Sequence, residues 1–446
     1  MFLIFKKEDY FIIKVAFKTL GCKVNQYETE VIFNLFQAAG YQTVGFDERA
    51  DIYVINTCTV TKEADRKSKQ MIRKAINQNQ NAMVIVTGCY AQSNYQDLKT
   101  IEGVNLILSN NEKNNILQQL DKLHINHTII DVKPAKNFRE YVNICKGRTS
   151  LHTRAWVKIQ EGCNRFCSYC KVPYVRGPVR SRLVEDIEKE ISDLNNKGVR
   201  EVVLLGINLG AYGEDLNKEK INLSKIISII NKYESIKRIR LSSIELDYLD
   251  DELLEAFKKY PKLCHHLHIP LQSGDDKILK LMNRSYNTSF FYQKINKFRK
   301  DIPDIAITSD IMVGFPYEDE RSFNNTYNFL RKLEFAKIHV FPYSDREECL
   351  ANLLIDKVDQ KIKKERSKRL LDLSKELSYN FRKKHIGAIM NVLIENEIKD
   401  KEGKVYSQGI TDNYIKVLIP DLTGRKGELV NVKLNQIYSN YIVSSI

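Results

Sequence analysis

The chain has 446 residues, 43% of them hydrophobic and only nine of them proline, which predicts folded domains without a long disordered tract. Lys and Arg outnumber Asp and Glu by 70 to 56, and this surplus of +14 favours an anionic partner such as nucleic acid, although a biased genome produces the same surplus. The odd number of nine cysteines, and an apolar opening of five residues that charged residues end, argue against a secreted disulfide-bonded protein and against a membrane segment. We therefore predict a cytoplasmic protein without membrane association.

Short strand-like runs alternate with helical stretches in the first part of the chain. Strands are predicted at residues 14–20, 51–56, 82–87 and 106–108, and helices at 28–39 and 61–77. This βαβα order predicts a small parallel sheet with helices on both faces. In such sheets, ligands bind at the carboxyl ends of the strands.

One cysteine follows each of the first three predicted strands, namely Cys22, Cys58 and Cys89. Because the carboxyl ends of parallel strands meet at one edge, we expect the three thiols to lie together, with Gly21 and Gly88 allowing close approach of the backbone. A single cysteine of this kind is usually a buried structural residue. Three of them in register favour a three-thiolate cluster site.

A linker and a second series of strands follow. Residues 136–150 lack periodicity, so we interpret them as a linker and Cys145 as incidental. Strand-like runs are then found at 156–160, 201–206, 238–243, 266–271, 306–314 and 337–342, with amphipathic helices between them, such as 184–195, 223–232 and 320–333. Six β/α units predict a partial (β/α)6 TIM-like barrel, because eight are needed to close one.

A second cysteine trio directly follows the first of these strands, on the face where barrel enzymes have their active sites. Cys163, Cys167 and Cys170 have the spacing C-x3-C-x2-C. Three thiolates on one loop can hold three irons of a cubane cluster and leave the fourth iron open to a substrate or cofactor. The alternative is a zinc site completed from elsewhere, since no fourth Cys or His lies nearby in the sequence.

The last part of the chain changes character again. A Lys- and Arg-rich helix at about 356–384 precedes alternating strands, which are predicted at 388–395, 404–410, 414–419 and 428–434. About sixty residues of short strands predict a small OB-like β-barrel of the kind that binds oligonucleotides. Lys416, Arg425 and Lys426 favour RNA binding over the alternative, an inert stabilising cap.

The combination of the two trios resembles the radical S-adenosylmethionine (SAM) methylthiotransferases. The C-x3-C-x2-C loop is similar to that of radical SAM enzymes, and its pairing with Cys22, Cys58 and Cys89 is similar to that of the methylthiotransferases. The run Phe17–Glu30 resembles the branch that modifies threonylcarbamoyladenosine beside the tRNA anticodon. Further runs fit the general family pattern, namely 56–60, 88–92, 172–177, 270–274 and 313–316.

Two places depart from that pattern. Tyr317 stands where a Gly is usual after the Phe-Pro pair, and Asp345–Leu350 stands where relatives tend to carry a Lys/Arg-x-Gly-Thr stretch. Both lie at predicted strand ends near the barrel mouth.

The resemblance implies a domain organisation. It places an N-terminal methylthiotransferase domain at 1–135, the linker at 136–150, a radical SAM partial barrel at 151–355, a connecting helix at 356–385 and a C-terminal TRAM domain at 386–446.

The resemblance also implies the cofactors and partners. Two 4Fe–4S clusters and SAM would convert N6-threonylcarbamoyladenosine to its 2-methylthio derivative. SAM would bind the open iron at Cys163, Cys167 and Cys170, and a radical made from it would take hydrogen from adenine C2. The cluster at Cys22, Cys58 and Cys89 would deliver sulfur, and a second SAM the methyl group. The partners would be the tRNA anticodon stem-loop, a one-electron donor and a sulfur source.

Candidate SAM contacts follow the later strands of the barrel: Gly206, Asn208, Ser243, Glu245, Gln272 and Ser273. Glu245 is alternatively the cap of the helix near Asp250, and Gln272 alternatively satisfies loop backbone.

Three arginines beyond the cluster loop, Arg176, Arg180 and Arg182, could meet a SAM carboxylate or RNA phosphates. Structural ion pairs with Glu185 or Asp186 are the alternative. The histidines at 265, 266 and 268 are interpreted as structural, because neighbours along a strand point to opposite faces. Cys264 and Cys349 are interpreted as ordinary thiols.

Two further hypotheses stay open from the sequence. Within the same chemistry, the substrate could be another tRNA adenosine or a ribosomal-protein aspartate, although the residues after Cys22 disfavour the aspartate. From another class, the chain could be an iron–sulfur RNA-binding or redox module without radical chemistry, which would not bind SAM.

Overall fold

The computed structural model describes residues 12–122, 128–143, 153–216, 221–400 and 403–446. They form two compact units: the first takes in the described residues of Met1–Thr149 together with Lys171–Pro178, and the second those of Ser150–Cys170 and Val179–Ile446. The apolar opening at 1–5, part of the predicted linker and Cys145 lie outside the described residues. Within the described ranges, no helix is long and apolar enough to cross a membrane.

The first unit is a six-stranded parallel sheet with helices on both faces. Its strands are β1 (Lys14–Thr19), β2 (Gln42–Val44), β3 (Ile52–Thr57), β4 (Met83–Gly88), β5 (Val104–Leu108) and β6 (Ile129–Asp131), in the order β2-β1-β3-β4-β5-β6. Its helices are α1 (Lys23–Ala38), α2 (Lys62–Gln78), α3 (Cys89–Ser93), α4 (Tyr95–Lys99), α5 (Ile116–Leu120) and α6 (Val172–Arg176). This confirms the predicted α/β sheet.

The apolar residues of β3 alternate between two hydrophobic clusters. Tyr53 and Ile55 belong to one cluster, and Ile52 and Val54 to the other. Strands that alternate in this way are buried on both faces, which is typical of a parallel sheet covered by helices. The edge strands β2 and β6 were not predicted, because each has only three residues and neither is fully buried.

The helix α1 begins five residues before the predicted start. Cys22 has an extended backbone and is the N-cap residue, so that the first helical turn follows the cysteine directly. The helix then buries Val24, Tyr27 and Val31, whose spacing is typical of one helical face.

The second unit contains a partial barrel of parallel strands. Its strands are β7 (Ala155–Lys158), β10 (Glu201–Leu205), β11 (Arg238–Leu241), β12 (His266–His268), β13 (Ala306–Val313) and β14 (Lys337–Pro342), and a short antiparallel pair is formed by β8 (Gln160–Glu161) and β9 (Arg180–Ser181). The sheets β11-β10-β7 and β12-β13-β14 are linked by parallel bridges from Ile239 to Leu263 and from Ser243 to His268. The six predicted β/α strands are all present.

Helices cover this barrel, and most of them begin after an Asp or Asn whose side chain caps the helix. They are α7 (Val184–Asn196), α8 (Leu223–Ile230), α9 (Asp251–Lys259), α10 (Asp276–Leu281), α11 (Thr288–Asp301), α12 (Glu320–Leu333) and α13 (Gln360–Lys383). The side chains of Asp250, Asp275 and Asp319 each accept a hydrogen bond from the backbone N–H three residues on. Such caps satisfy N–H groups that have no partner within the helix.

The C-terminal strands form a small closed barrel, in agreement with the prediction. Its strands are β15 (Ile389–Lys399), β16 (Val405–Thr411), β17 (Lys416–Pro420), β18 (Leu429–Tyr438) and β19 (Tyr441–Ser445), in the order β15-β16-β17-β19-β18. The fifth strand was not predicted. Its short alternating run completes the barrel by pairing with both β17 and β18.

Two buried arginines on β11 join this small barrel to the parallel strands. Arg240 Nε donates to Glu201 Oε1 at 2.7 Å, and its Nη1 donates to the backbone oxygen of Asp412 at 2.6 Å. Arg238 Nη1 donates to the backbone oxygen of Ile410 at 2.9 Å. A guanidinium has five N–H donors, so each arginine can bind Glu201 and the small barrel at once.

Candidate active site

The first cysteine trio lies at the carboxyl ends of three neighbouring strands. Cys22 follows β1 and caps α1, Cys58 follows β3 directly, and Cys89 is the first residue of α3 after β4. Because β1 pairs in parallel with β3, and β3 with β4, these three strand ends are adjacent. The structure therefore places the three cysteines at one edge of the sheet.

Two glycines leave room for this arrangement. Gly21 has φ +102°, and a Cβ added to it would lie 2.9 Å from Cys58 Cβ and 3.0 Å from Cys58 Sγ. Gly88 has φ +97°, and a Cβ there would lie 2.3 Å from the backbone oxygen of Thr57. Both positions require glycine for the conformation and for the space.

The thiols of the first trio influence one another electrostatically. Desolvation by the surrounding protein raises the pKa of Cys58 to about 12, and the neighbouring Cys89 and Cys22 add to the rise. Desolvation also raises the pKa of Cys22, where Arg176 opposes the rise and Cys89 adds to it. Cysteines bind metal ions as thiolates, so the positive charge of a metal cluster would stabilise three thiolates that lie close together.

The residues of the first trio fit an iron–sulfur cluster in chemistry and in space. Three thiols share one edge, with a cradle beside Cys58 that a Cβ on Gly21 would fill. Within the described ranges, no three His, Cys, Asp or Glu side chains converge as ligands of one metal ion do. A cubane takes one thiolate on each of three irons, so its ligands need not meet at one point.

Arg176 is buried beside this trio. Its side chain is 1% exposed, its Nε donates to Cys89 Sγ at 3.3 Å, and its Nη2 donates to Asn25 Oδ1 at 2.5 Å. Its guanidinium also forms an ion pair with Glu28, which in turn pairs with Lys113. This enclosed position favours the alternative of an ion pair, with Glu28 as the partner, and a contact with SAM or RNA stays a prediction.

Arg180 and Arg182 are likewise 1% exposed. Arg182 forms a buried ion pair with Glu190 and donates to the backbone oxygen of Asp186 at 3.0 Å. Both side chains are enclosed by the protein, and their contacts with SAM or RNA stay predictions. Arg182 therefore forms a structural ion pair, as the alternative predicts, but with Glu190 where Glu185 or Asp186 was expected.

The second trio lies on a loop that follows β8 and is fixed to the end of α10. The backbone N–H of Cys170 donates to the oxygen of Cys167 at 2.9 Å, and Phe166 has φ +47°. Ser168 donates through its N–H to the oxygen of Met282 at 3.0 Å and through its Oγ to that of Leu281 at 2.7 Å. These bonds hold the loop in a compact turn from which the thiols extend.

Arg284 contacts the second trio and was not singled out from the sequence. Its Nη1 lies 3.3 Å from Cys167 Sγ, and it forms an ion pair with Glu245. It also donates to the backbone oxygen of Pro270 at 3.1 Å and to Tyr286 Oη at 2.7 Å. Hydrogen bonds to cluster sulfurs and nearby charge tune iron–sulfur sites, so Arg284 is a functional residue that tertiary packing alone reveals.

The pKa of Cys163 in the same loop is raised to about 11, by burial first and by the neighbouring Cys167 in addition. The second trio therefore combines a buried thiol of raised pKa, Cys163, with a cationic neighbour of Cys167, Arg284. Its three thiols on one loop fit a cubane with an open iron.

Glu245 does not cap the helix near Asp250, because Asp250 caps α9 itself by accepting from the N–H of Leu253 at 2.8 Å. Glu245 forms an ion pair with Arg284, and Arg284 in turn contacts Cys167 of the second trio. The proposed contact of Glu245 with SAM stays a prediction.

Gly206 and Asn208 follow β10 and lie against Gln160, the first residue of β8. A Cβ on Gly206 would lie 2.9 Å from Gln160 Oε1, and the N–H of Asn208 donates to that oxygen at 2.8 Å. Asn208 is 3% exposed, and its Oδ1 has no hydrogen-bond partner among the described residues. A buried, unsatisfied carbonyl oxygen beside the cluster loop is a suitable acceptor for a cofactor's ammonium or hydroxyl group.

The other SAM candidates have different surroundings. Gln272 has φ +72°, and its backbone, rather than its side chain, bonds to Asp310 and Met312. Ser273 is buried, with its Oγ 3.2 Å from Thr326 Oγ1, which favours a structural role. Ser243 is paired with His268 by a backbone bridge.

The segments that depart from the family pattern have defined conformations. Tyr317 has φ +65°, which is a left-handed backbone conformation that favours glycine. A tyrosine adopts it here. The N–H of Ala351 donates to the backbone oxygen of Ser168 at 2.7 Å, which attaches the divergent segment to the cluster loop.

The remaining candidates are on the later strands of the barrel and in the C-terminal domain. His266 and His268 both bond to Thr308 Oγ1, at 3.2 and 2.9 Å, which agrees with a structural interpretation. In the small barrel, Lys416 and Lys426 are exposed. Arg425 Nη2 lies 2.7 Å from Glu428 Oε2, and this ion pair weakens the attraction of Arg425 for an anionic ligand.

Comparison with protein-family models gives two matches. Residues 14–109 match the uncharacterized protein family UPF0004, and residues 157–330 match the radical SAM superfamily. The first match covers five of the six strands of the first sheet with the first trio, and the second covers most of the partial barrel with the second trio.

Two characterised relatives are similar over nearly the whole chain. The chain is 42% identical to threonylcarbamoyladenosine tRNA methylthiotransferase MtaB of Bacillus subtilis (strain 168), covering 94% of this chain and 93% of that protein. It is 35% identical to tRNA-2-methylthio-N(6)-dimethylallyladenosine synthase of Thermodesulfovibrio yellowstonii (strain ATCC 51303 / DSM 11347 / YP87), covering 97% and 98%.

Among solved structures, the fold is similar to that of the radical S-adenosylmethionine methyltransferase TsrM from Kitasatospora setae. The TM-score is 0.54 at 12% identity, and the match covers 74% of each chain. At this identity, the likeness concerns the fold alone.

Proposed function

Because the chain belongs to the family of radical SAM methylthiotransferases, we propose that it acts on tRNA, converting N6-threonylcarbamoyladenosine beside the anticodon to its 2-methylthio derivative. The cofactors of this family are SAM and two 4Fe–4S clusters. The observation that carries the proposal is the presence of both cysteine trios, one after three parallel strands and one on a single loop of a partial barrel. A redox or RNA-binding module without radical chemistry would not need the second site.

The proposed reaction replaces the C2–H bond of the adenine by a C2–S bond and completes it with a methyl group. When bound, SAM and the barrel cluster supply the one-electron chemistry that removes this hydrogen, which leaves in 5′-deoxyadenosine. A cluster held by Cys22, Cys58 and Cys89 would supply the sulfur, and a second SAM would supply the methyl group. An external one-electron donor and a sulfur source are therefore required partners.

The residues of the chain orient these groups and exclude water. Cys163, Cys167 and Cys170 would hold the barrel cluster, with Arg284 fixing Cys167 from behind. Asn208 offers its unsatisfied Oδ1 for SAM, and Gly206 leaves space beside it. Cys22, Cys58 and Cys89 would hold the other cluster.

The substrate branch and the RNA contact rest on different residues. The run Phe17–Glu30 supports threonylcarbamoyladenosine as the modified nucleoside. Lys416 and Lys426 on the small barrel are exposed and are retained as contacts to tRNA phosphates, while Arg425 shares its charge with Glu428. We expect the reaction to take place in the cytoplasm, where tRNA is modified.

Nucleoside analysis of tRNA from a deletion strain tests this proposal. We expect 2-methylthio-N6-threonylcarbamoyladenosine to disappear and to return with the wild-type gene, but not with Cys163→Ala or Cys22→Ala. Cys264→Ala is the matched control, because this buried thiol lies outside both trios. Loss of a 2-methylthio derivative of dimethylallyladenosine instead would contradict the substrate, and an unchanged nucleoside profile would contradict the function.

A further inference from the structure

Three charged side chains are buried together beside the first trio. Arg176, Lys113 and Glu28 are 1%, 0% and 1% exposed. The Glu28 carboxylate accepts from Arg176 through Oε1 and from Lys113 through Oε2, so one anion is shared by two cations. This group combines residues from α1, from the segment before α5 and from α6, which are distant in sequence.

The charges of these three side chains do not cancel. Two cations and one carboxylate leave one positive charge in excess among them, at a place that water does not reach. Burying an excess charge is costly, so an anion close to Arg176 would stabilise this group. An ordinary structural ion pair would need only one of the two cations.

With a metal cluster bound, the trio would supply such an anion, because its ligands are thiolates. Arg176 Nε donates to Cys89 Sγ at 3.3 Å. The pKa of Lys113 is lowered by burial and by the neighbouring Arg176, although Glu28 and Cys89 oppose this shift. Asn25 Oδ1 accepts from Arg176 Nη2 at 2.5 Å and lies 3.6 Å from Cys22 Sγ. The excess positive charge is therefore directed at the cysteines that would hold the cluster.

We propose that Arg176, Lys113 and Glu28 together set the reduction potential of the iron–sulfur cluster at Cys22, Cys58 and Cys89, with Arg176 as the positioning residue for Cys89. An added electron makes a cluster more negative, and both a nearby cation and an N–H···S hydrogen bond stabilise that state. The two cations therefore raise the potential and Glu28 lowers it. This inference rests on the proposed function in one respect, that the first trio binds such a cluster.

A redox titration tests the inference on the full-length chain. Cys163, Cys167 and Cys170 are replaced by Ala, so that the absorbance and the electron paramagnetic resonance signal report the first cluster alone. In this background, Arg176→Gln and Lys113→Gln are expected to lower the ratio of reduced to oxidised cluster about tenfold at a fixed applied potential, which is about 59 mV for a one-electron couple.

The sign of the Glu28→Gln shift is the decisive readout. This variant removes the anion and keeps the shape, so it is expected to shift the potential upward, opposite to the two cation variants. General destabilisation would not produce opposite signs. The matched control is Arg182→Gln, which breaks a buried ion pair with Glu190 that does not involve the trio, and it should leave the potential unchanged.

The outcomes separate this inference from the proposed function. If the reduction potential shifts in the same direction in all three variants, or does not shift although the iron content is full, the three charges do not set the potential. The assignment of two clusters would not be affected by either result. A parent protein without iron at the first trio would overturn both the inference and the two-cluster assignment. If Arg176→Gln does not fold, the near-isosteric Glu28→Gln variant still tests the inference. An upward shift of its reduction potential supports the inference, and an unchanged potential overturns it.

Discussion

The sharpest consequence of the geometry of the first trio concerns Gly21. The substitution Gly21→Ala would place a Cβ 2.9 Å from Cys58 Cβ and 3.0 Å from Cys58 Sγ, on a backbone with φ +102°. At such distances, the cysteine side chain must move. We expect the cluster at the first trio to be lost while the cluster at Cys163, Cys167 and Cys170 is retained.

The cost of this substitution has two parts. A left-handed backbone conformation costs an alanine about 1–2 kcal/mol. Overpacking against Cys58 adds about 1–3 kcal/mol. Gly40→Ala is the matched control, because Gly40 has φ +87° but nothing lies within 4 Å of an added Cβ. It carries the backbone cost alone.

Iron and sulfide analysis, together with urea unfolding, separates the two variants. For Gly21→Ala, we expect iron per chain to fall by about half, because one of two cubanes is lost. For Gly40→Ala, we expect full iron content and only a lower free energy of unfolding. Full iron content in Gly21→Ala, or equal iron loss in both variants, would refute the placement of Cys58 in a cluster site.

Three further predictions concern other parts of the molecule. Arg284→Lys removes the N–H···S bond to Cys167 and should weaken iron binding at the barrel cluster about 10–100-fold in a chelator competition; unchanged competition would refute this. Burial raises the pKa of Glu201, but Arg240 outweighs this effect and holds the pKa below its ordinary value. The free energy of unfolding should therefore fall as pH drops below about 4.5. Urea titrations of Glu201→Gln should show a weaker fall. Because burial raises the pKa of Cys58, its alkylation in the metal-free protein should still accelerate above pH 9, and a plateau near pH 9 would contradict this.

Much of the fold could be predicted because local patterns determined it. The six strands of the partial barrel were recognisable as β-branched runs separated by amphipathic helices, and the strands of the first sheet that are buried on both faces read as continuous apolar runs. The edge strands β2 and β6 were not recognisable, because three partly exposed residues carry no period. The strand β19 was missed because its significance lies in closing the small barrel, which depends on partners elsewhere in the chain.

The candidate site could be predicted less completely. The cysteines were found because their spacing and their positions after strands carry the signal. Arg284, Glu28 and Lys113 were not, since their roles come from packing between distant elements. For the same reason, the sequence leaves SAM, RNA or an ion pair open for Arg176, whereas the structure buries its side chain against Cys89 and Glu28.

One measurement tests the central claim most directly. The purified protein with both clusters restored is incubated with SAM, a reductant and two tRNAs, one carrying N6-threonylcarbamoyladenosine and the other dimethylallyladenosine at the same region of the anticodon loop. Mass spectrometry of the nucleosides should show a methylthio group on threonylcarbamoyladenosine only, and none in the Cys22/Cys58/Cys89→Ala variant. Methylthiolation of dimethylallyladenosine instead, or an equal yield from the triple variant, would contradict the account.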